Sequence, residues 1–319
     1  MTAPLLSVVT STYRRVHNLR MLIDSLAVQT LDPSEFEVII VDNGSGDDTP
    51  EVLSEASERL PNLRYDVLDT NSGPGPARNR GVELAEGRVI CFLDDDVAAA
   101  PDLLSIHAGF HREHDDGWSA LLGRVDWHPD VRVTPFMRWV DRSGLQFSYD
   151  TWLEEGEVER PYEVFYMANT SVPRQAILDV GGFDHRFSFG YEDYELGWRL
   201  WRAGLRMWYR PDARAFHTRG TDLETFKRRT RTIARGASIM REIHPDFPLK
   251  ESLLRARRSP WRRALIFAYA PVARIVGDEA RLGRYYREVI ADAYAEGKRM
   301  GNADPQPASH SKGEAPSGS

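Results

Sequence analysis

The sequence predicts an α/β fold in which a mostly parallel central sheet is flanked by helices. Strand-like and helix-like patterns alternate through the first hundred residues, and such alternation is typical of βαβ units. Val89 to Leu93 form an unbroken apolar run, as expected for a strand buried on both faces. Beyond Asp222 the pattern becomes helical and basic, which predicts a C-terminal helical extension.

Four strands are expected in the first hundred residues, each a short apolar run that ends at a polar turn. Their predicted bounds are Leu5–Thr10, Phe36–Val41, Leu63–Leu68 and Val89–Leu93. Three helices alternate with them. The first places apolar residues from Val16 to Leu26 on one face, the second begins at Thr49-Pro50-Glu51, and the third follows the loop 71–76 and ends near Glu86.

The second hundred residues are less regular. The segment 118–166 is rich in aromatic residues, and part of Trp118–Trp152 is a candidate for acceptor contact. Gly190-Tyr191-Glu192-Asp193 opens a helix whose Trp198 and Trp201 are expected in the core. Leu205–Tyr209 reads as a strand, and His217 follows it.

Composition limits the class of protein. The 319-residue chain is 41% hydrophobic and 28% charged, as in ordinary globular proteins. Its net charge of -7 argues against general nucleic-acid binding. The single Cys91 lies within the apolar strand and is expected to be a buried thiol. No signal sequence or membrane-spanning run is evident, so we expect a cytoplasmic protein that contacts at most the inner face of a membrane.

Three consecutive carboxylates, Asp94, Asp95 and Asp96, follow the strand Val89–Leu93. Because successive strand residues point to opposite sides, Asp94 and Asp96 are expected to share one face. Adjacent acids need a counter-charge, and Mg²⁺ or Mn²⁺ with phosphate oxygens would supply it. The alternative is a solvated turn. Asp42 ends a neighbouring strand, so all four acids are expected at the carboxyl edge of the sheet.

With these residues identified, the chain resembles glycosyltransferase family 2 enzymes of GT-A fold from about residue 5 to residue 217. Each landmark is weak alone, but their ordered set is specific. In chain order they are Ser7-Val8-Val9-Thr10-Ser11-Thr12-Tyr13-Arg14, Val41-Asp42-Asn43-Gly44-Ser45, Phe92-Leu93-Asp94-Asp95-Asp96, and Gly182-Phe183-Asp184 with Glu192-Asp193. The last stretch also looks like the catalytic segment of galactosyltransferases. The resemblance implies an inverting transferase that uses a nucleotide-diphosphate sugar, with uridine as the favoured nucleoside.

The resemblance implies nucleotide contacts at five positions. Thr10, Tyr13 and Arg14 match the family's loop after the first strand, where Tyr13 would pack on the base and Arg14 would meet phosphate. Asp42 matches the residue that accepts a hydrogen bond from the base, and Arg78 a diphosphate or base contact. The alternatives are a helix entry with a solvated arginine, an Asx turn at Asp42 and a surface arginine at position 78.

It also implies a metal site. Asp96 is assigned to Mn²⁺ or Mg²⁺, Asp94 to the metal or the ribose, and Asp95 to the ribose. His217 matches a position where related enzymes supply a further metal ligand, and imidazole suits Mn²⁺ better than Mg²⁺. A hydrogen-bonded structural histidine is the alternative.

Asp193 is the candidate general base that deprotonates the acceptor hydroxyl, and Glu192 would orient the acceptor or tune its neighbour. Acids also favour helix N-termini for electrostatic reasons alone. The acceptor is open: a glycan, a lipid-linked sugar, a protein or a natural product. The rival functions are a nucleotide-sugar-binding scaffold without activity and, less favoured, a sugar-phosphate nucleotidyltransferase.

The resemblance and the composition together predict three parts of the chain: a catalytic domain at 1–221, with a nucleotide-binding half at 1–117 and an acceptor half at 118–221, a basic helical extension at 222–301, and a disordered tail at 302–319. From Lys227 to Arg263 twelve basic residues face three acidic ones. This extension could contact an anionic membrane surface, but the plainer alternative is that it packs on the catalytic domain or on a second copy of the chain.

Overall fold

The computed structural model describes residues 3–147, 149–187, 189–249 and 259–300. Its strands are β1 (Leu6–Thr12), β2 (Phe36–Asp42), β3 (Leu63–Val67), β4 (Val89–Leu93), β5 (Val97–Ala99), β6 (Ser119–Trp127), β7 (Gly156–Glu157), β8 (Asn169–Pro173) and β9 (Arg206–His217). Its helices are α1 (Val16–Leu26), α2 (Thr49–Arg59), α3 (Pro74–Leu84), α4 (Leu103–Glu113), α5 (Pro135–Ser143), α6 (Arg174–Asp179), α7 (Glu192–Arg202), α8 (Leu223–Ile243), α9 (Pro260–Val276) and α10 (Glu279–Met300).

These strands form one sheet in the order β3-β2-β1-β4-β8-β6-β9-β5, with β7 paired to β9. The first four strands are parallel, which confirms the parallel sheet predicted from the alternating pattern. The second half is mixed, because β8 runs antiparallel to both β4 and β6 whereas β6 and β9 are parallel. The carboxyl ends of β1, β2 and β4 therefore meet at one edge.

The strands β1, β2 and β4 form the centre of the main core. All five residues of β4 are buried, as the apolar run predicts for a strand covered on both faces. Cys91 is fully buried, and burial raises the pKa of its thiol to about 12, so the prediction of a structural thiol is confirmed.

The second half of the catalytic region contains more strand than the sequence suggests. The strand expected at Leu205–Tyr209 continues to His217. Residues 211–213 of β9 form a bulge without partners on β6, and pairing resumes beyond it, with Gly123 opposite Arg210 and Arg124 opposite Arg214. Such a bulge accommodates Pro211, which has no N–H to donate to a ladder. The aromatic segment 118–166, predicted to be irregular, contributes β6 and α5.

The predicted C-terminal helical extension is present as α8, α9 and α10. A small core joins it to the catalytic region, where Phe136 and Val140 of α5 pack with Leu282, Tyr286 and Ile290 of α10. No helix in the described part of the chain is long and apolar enough to cross a membrane. The predicted disordered tail at 302–319, and the residues 250–258 within the basic stretch, lie outside the described residues.

Candidate functional site

The acidic residues singled out in the sequence meet at the carboxyl edge of the parallel strands. Asp42 ends β2 opposite Thr12 of β1, and Asp94 to Asp96 follow β4 directly. Neighbouring parallel strands all end at this edge, which explains why residues 50 positions apart in the chain become neighbours.

Asp42 is fully buried. One carboxylate oxygen, Oδ1, accepts hydrogen bonds from the backbone N–H and the hydroxyl of Ser45. The other, Oδ2, is buried and has no hydrogen-bond partner within the described structure. Burial raises the pKa of this carboxyl, and its bonds to Ser45 only partly offset that. A buried acceptor without a partner is costly, so a ligand N–H at this position would be stabilising.

Three further predicted nucleotide contacts, Thr10, Tyr13 and Arg14, lie in the last part of β1 and in the loop that follows it. Thr10 is buried and donates its hydroxyl hydrogen bond to the carbonyl oxygen of Leu93, 2.9 Å away, so it lies within the sheet. Arg14 is exposed, and its guanidinium lies 5.2 Å from the centre of the Tyr13 ring. Its backbone N–H and its Nε both donate to Ser45. Arg14 has a φ of +53°, a conformation uncommon for a side-chain-bearing residue.

The three consecutive aspartates differ in exposure and in hydrogen-bond partners. The Asp95 side chain is 6% exposed and accepts from the Thr12 hydroxyl and from Arg15. Those of Asp94 and Asp96 are 31% and 17% exposed. Asp94 and Asp96 are therefore the pair accessible to a ligand, whereas both oxygens of Asp95 are held by residues of the β1 loop.

Arg78 lies between the two groups of acids. It is buried, its Nη2 donates to Asp94 at 2.8 Å, and its Nη1 lies 3.5 Å from Glu192. Burial lowers the pKa of this guanidinium, but the carboxylates of Asp94, Glu192 and Asp193 together raise it above its usual value. The charge of Arg78 is paired although the side chain is buried, because Arg78 extends from α3 to Asp94 on one side and to Glu192 of α7 on the other. Arg78 thus connects the acids of β4 with those of α7.

Glu192 and Asp193 form the first turn of α7. Glu192 is 5% exposed, and its Oε2 is buried without a hydrogen-bond partner in the described structure. Burial and the neighbouring Glu192 raise the pKa of Asp193 to about 7, although Arg78 and the Tyr194 backbone N–H act against this. This is the range in which a carboxylate exchanges protons near neutral pH.

The backbone before this acidic pair is tightly constrained. Tyr191 has a φ of +72°, which costs energy for a residue with a side chain. A Cβ on Gly236 of α8 would lie 2.3 Å from the carbonyl oxygen of Gly190. Helix α8 therefore packs directly on the turn that sets the direction of Glu192 and Asp193.

His217 ends β9 and lies beside Asp96, with 3.6 Å between its Nδ1 and Oδ1 of the carboxylate. Its ring stacks on Phe147, at 5.5 Å between ring centres, and its Nε2 is buried without a partner in the described structure. A cavity of about 50 Å³ adjoins the ring and is walled partly by Trp127, Phe147 and Tyr149. The described residues contain no ready-made group of three His, Cys, Asp or Glu side chains for a metal.

Arg15 is the residue that sequence reasoning missed. Its Nη1 donates to both Asp95 and Asp96, at 2.6 and 3.0 Å. Burial raises the pKa of Asp96, but Arg15 and His217 outweigh it and hold that pKa well below its usual range. The signal was available: three adjacent acids require a counter-charge, and two arginines follow β1. Spacing alone does not distinguish Arg14, which faces Ser45, from Arg15.

Of the aromatic residues, Trp198 is buried as predicted. Trp201 is 36% exposed, so its predicted place in the core is only half right. Both pack on Tyr162.

Comparison with known proteins gives two matching family models. The one described as glycosyl transferase family 2 matches residues 7–173, and the one described as glycosyl transferase family group 2 matches residues 158–277. The first alone covers more than half of the chain.

Two curated relatives illustrate the range of similar proteins. Validoxylamine A glucosyltransferase of Streptomyces hygroscopicus subsp. limoneus is 31% identical over 237 residues, 64% of this chain and 49% of that protein. N-acetylglucosaminyl-diphospho-decaprenol L-rhamnosyltransferase of Mycobacterium tuberculosis is 32% identical over 236 residues, 66% of this chain and 75% of that protein. The chain spans about half the length of the validoxylamine A enzymes it matches, 49% and 53%.

Solved structures share the fold. Residues 1–349 of Staphylococcus aureus TarS in complex with UDP superpose with a TM-score of 0.56 at 22% identity, over 92% of this chain and 90% of that one. The mannosyltransferase PcManGT of Pyrobaculum calidifontis, in complex with GDP-Man and Mn²⁺, gives a TM-score of 0.63 at 19% identity, over 94% and 88%. The expected GT-A fold is thereby confirmed.

Proposed function

Since the chain belongs to glycosyltransferase family 2, we propose that it transfers a sugar, with inversion, from a nucleotide diphosphate to an acceptor hydroxyl. One observation carries the proposal. The buried Arg78 contacts both Asp94 and Glu192. The acids proposed to hold the metal of the diphosphate and the acids proposed to act on the acceptor therefore lie within reach of one side chain. A transferase needs its leaving group and its base on opposite sides of one reacting carbon.

Asp42 is the proposed nucleobase contact. Its unpartnered Oδ2 is an acceptor for a ring N–H such as uracil N3–H. Arg14 and the adjacent Tyr13 lie near it, because Arg14 donates to Ser45 and Ser45 donates to Asp42. The proposal favours a UDP-sugar. TarS has been solved with UDP and PcManGT with GDP-Man, so the fold itself accommodates either base.

Asp94, Asp96 and His217 are the residues that would hold Mn²⁺ or Mg²⁺. The residues fit such an ion in kind: two partly exposed carboxylates that follow the same strand, and an imidazole whose Nδ1 lies 3.6 Å from Asp96. A bound divalent ion stabilises the charge that develops on a departing diphosphate. Arg15 neutralises Asp95 and Asp96 and so limits the repulsion within the acidic triplet.

Asp193 is the proposed base. Burial and Glu192 raise its pKa to about 7, so near neutral pH it can accept the proton of an acceptor hydroxyl as that oxygen attacks the anomeric carbon. Glu192, which Arg78 contacts, is one of the groups that raise the pKa of Asp193 and so sustains its basicity. The aromatic walls of the cavity beside His217 offer faces on which a sugar ring can pack.

The first test is thermal unfolding of the full chain with UDP, GDP and TDP, each with Mn²⁺ and with EDTA. Saturation at 100 times Kd adds about 2.7 kcal/mol to the free energy of unfolding. We expect UDP to raise the unfolding temperature only when Mn²⁺ is present, and we expect this rise to be lost in Asp94→Asn.

Failure of all nucleotides to stabilise the metal-loaded protein would contradict the proposal. Stabilisation without hydrolysis of any UDP-sugar would instead favour the rival function, a nucleotide-sugar-binding scaffold. A matched variant, Asp115→Asn, removes an exposed carboxylate that pairs with Arg88 at the opposite end of β4 and serves as the control.

A further inference from the structure

The small cavity beside His217 is walled by three elements of the fold. Trp127 at the end of β6 lies opposite His217 at the end of β9, Asp141 comes from α5, and Phe147 and Tyr149 follow that helix. The volume of about 50 Å³ exceeds the roughly 30 Å³ that one water molecule occupies in the liquid, and it is too small for a whole sugar ring. The cavity therefore has room for a hydroxyl-sized group together with the carbon that carries it.

Two polar atoms of these walls are buried without a hydrogen-bond partner in the described structure. They are Nε2 of His217 and the hydroxyl of Tyr149, on side chains of residues that are 8% and 7% exposed. Burying such atoms is costly unless a ligand completes their hydrogen bonds. Because both residues line the same cavity, one small ligand group can bond to both.

Asp141 supplies the charge of this cavity. Its Oδ2 accepts from the indole Nε1 of Trp127 at 2.9 Å, no cation in the described part of the chain forms an ion pair with it, and burial raises its pKa. The other two acids of the wall, Asp126 and Asp150, both pair with Arg124. Asp141 is therefore the carboxylate of the wall whose charge no described cation balances.

The donors and acceptors of the wall select one kind of ligand group. This step rests on the proposed function: when Nδ1 of His217 meets the metal, Nε2 carries the hydrogen and donates. Asp141, as a carboxylate, can only accept. A hydroxyl group accepts from Nε2 and donates to Asp141, and the Tyr149 hydroxyl can act either way. An ammonium group cannot accept from Nε2, and a carboxylate or phosphate cannot donate to Asp141 and is repelled by its charge.

A row of aromatic rings connects the cavity with the proposed base. The ring centre of Phe147 lies 4.9 Å from that of Tyr166, which lies 6.4 Å from that of Tyr194, the residue after Asp193. Aromatic faces are suited to packing against sugar rings. Because the acceptor is the substrate whose hydroxyl must meet Asp193, this row favours the acceptor over the donor as the occupant of the cavity.

We propose that the cavity beside His217 receives the uncharged hydroxymethyl group of a sugar acceptor, and that Asp141 and Tyr149 are specificity-determining residues for it. The methylene carbon packs between Trp127 and Phe147, and the hydroxyl completes the hydrogen bonding of the three polar side chains. The acceptor is then a carbohydrate with a free hydroxymethyl group, and a sugar that carries a phosphate or a carboxylate at that position is rejected.

The test is isothermal titration calorimetry on the full chain with UDP and Mn²⁺, using four methyl β-glycosides that differ at one position. The glucoside carries the hydroxymethyl group, the xyloside lacks it, the glucuronide has a carboxylate there and the 6-amino-6-deoxyglucoside an amine. We expect the glucoside to bind about tenfold more tightly than each of the others, because the other three leave polar atoms of the wall unpaired. Tyr149→Phe is expected to weaken binding of the glucoside about threefold or more without lowering the melting temperature of the free protein, since its hydroxyl has no partner to lose.

Tyr209→Phe is the matched control. Its hydroxyl is also buried without a partner in the described structure, but Tyr209 does not line the cavity, so affinity for the glucoside should not change. Equal affinity for the glucoside and the xyloside, tighter binding of the glucuronide or the amine, no binding of any glycoside, or an unchanged affinity for the glucoside in Tyr149→Phe would each overturn the proposal.

Two further titrations separate the possible origins of a failure. Weaker binding of UDP-glucose, but not of UDP-xylose, by Tyr149→Phe would assign the cavity to the donor sugar and would also overturn the proposal. Titration of UDP itself reports on the proposed function, because loss of UDP binding by the wild type would contradict that function. Intact UDP binding without the expected selectivity among glycosides would contradict only the assignment of the cavity.

Discussion

Two buried polar clusters in this molecule are organised in opposite ways. The first, the histidine cluster, consists of His107 and His111 of α4 with Asn169 and Ser171 of β8. Both imidazoles bond the Ser171 hydroxyl, at 2.7 and 2.8 Å, and His107 also bonds Asn169 at 2.9 Å. The second is the acidic site, where Asp42, Glu192 and His217 each keep a buried atom without a partner in the described structure.

The contrast shows which buried polar groups hold the fold and which await a ligand. A fully bonded network is stabilising and specifies the packing of α4 on the sheet. Unpartnered buried atoms cost free energy, and three of them, on Asp42, Glu192 and His217, belong to the site at the carboxyl edge of the strands, where a ligand can enter. The histidine cluster is structural, and the acidic site is the functional candidate.

The pKa shifts of the two clusters have opposite consequences. Burial lowers the pKa of His107 to about 4 and of His111 to about 3, so the unfolded chain binds more protons and the stability they contribute is lost as pH falls below about 6.5. Asp193 has a raised pKa, so the folded state binds more protons and stability is lost as pH rises from the usual aspartate range through about 7.

The largest effect is expected from Asp193→Asn. Loss of the base should lower kcat by about 10²–10⁴-fold, while UDP binding stays intact. At pH 8 the variant should melt at the same temperature as the wild type or higher, because it removes a buried charge beside Glu192. Transfer kinetics with thermal unfolding measure both. A lower melting temperature with unchanged kcat would place Asp193 among the structural groups instead.

His107→Ala should have the reverse outcome. It leaves the Oδ1 of Asn169 without its partner, removes one of the two imidazoles that bond Ser171, and opens a cavity, so the free energy of unfolding should fall by about 2–4 kcal/mol. Urea denaturation measures the loss, and kcat per folded molecule should not change. His185→Ala, at an exposed position, is the matched control. A kcat change as large as that of Asp193→Asn would remove the distinction between the clusters.

Asp42→Asn is expected to have an intermediate effect. With the remaining oxygen still bonded to Ser45, the NH₂ group takes the place of Oδ2, and it cannot accept a hydrogen bond from a base N–H. Affinity for UDP should fall about tenfold, which corresponds to about 1.4 kcal/mol, and the unfolding temperature without ligand should not fall. Isothermal titration calorimetry with UDP and GDP would detect it. Equal affinity of variant and wild type for UDP would exclude a base contact at Asp42.

The smallest effect is a pH dependence. Below pH about 7, kcat/KM should fall tenfold per unit as Asp193 takes up its proton. Glu192→Gln removes one cause of the raised pKa, so the midpoint of the profile should move to lower pH. A profile identical in the two proteins would show that Glu192 does not tune its neighbour.

Sequence reasoning was most successful where burial alone determines structure. Strands β1, β2 and β4 are buried parallel strands, and their apolar runs predict both their bounds and the acids at their ends. It was less successful for β9, where Pro211 marks a bulge and not the end of the strand. Pairing with β6 resumes after the bulge, and the local pattern does not reveal this partner. Arg15 was missed for a related reason: which of two adjacent arginines turns toward the acids is decided by tertiary packing, after Arg14 adopts its positive φ.

The contact between Gly236 and Gly190 has a consequence for how this chain tolerates change. Helix α8 lies outside the strands that carry the acids, yet its backbone touches the turn on which Asp193 depends. A single methyl group at position 236 would push on that turn, so a substitution in the basic extension would behave in a survey of variants like a defect of the catalytic centre. Distance along the chain is therefore a poor guide to which substitutions this protein tolerates, because a position in the extension can be as restricted as the acids whose turn it touches.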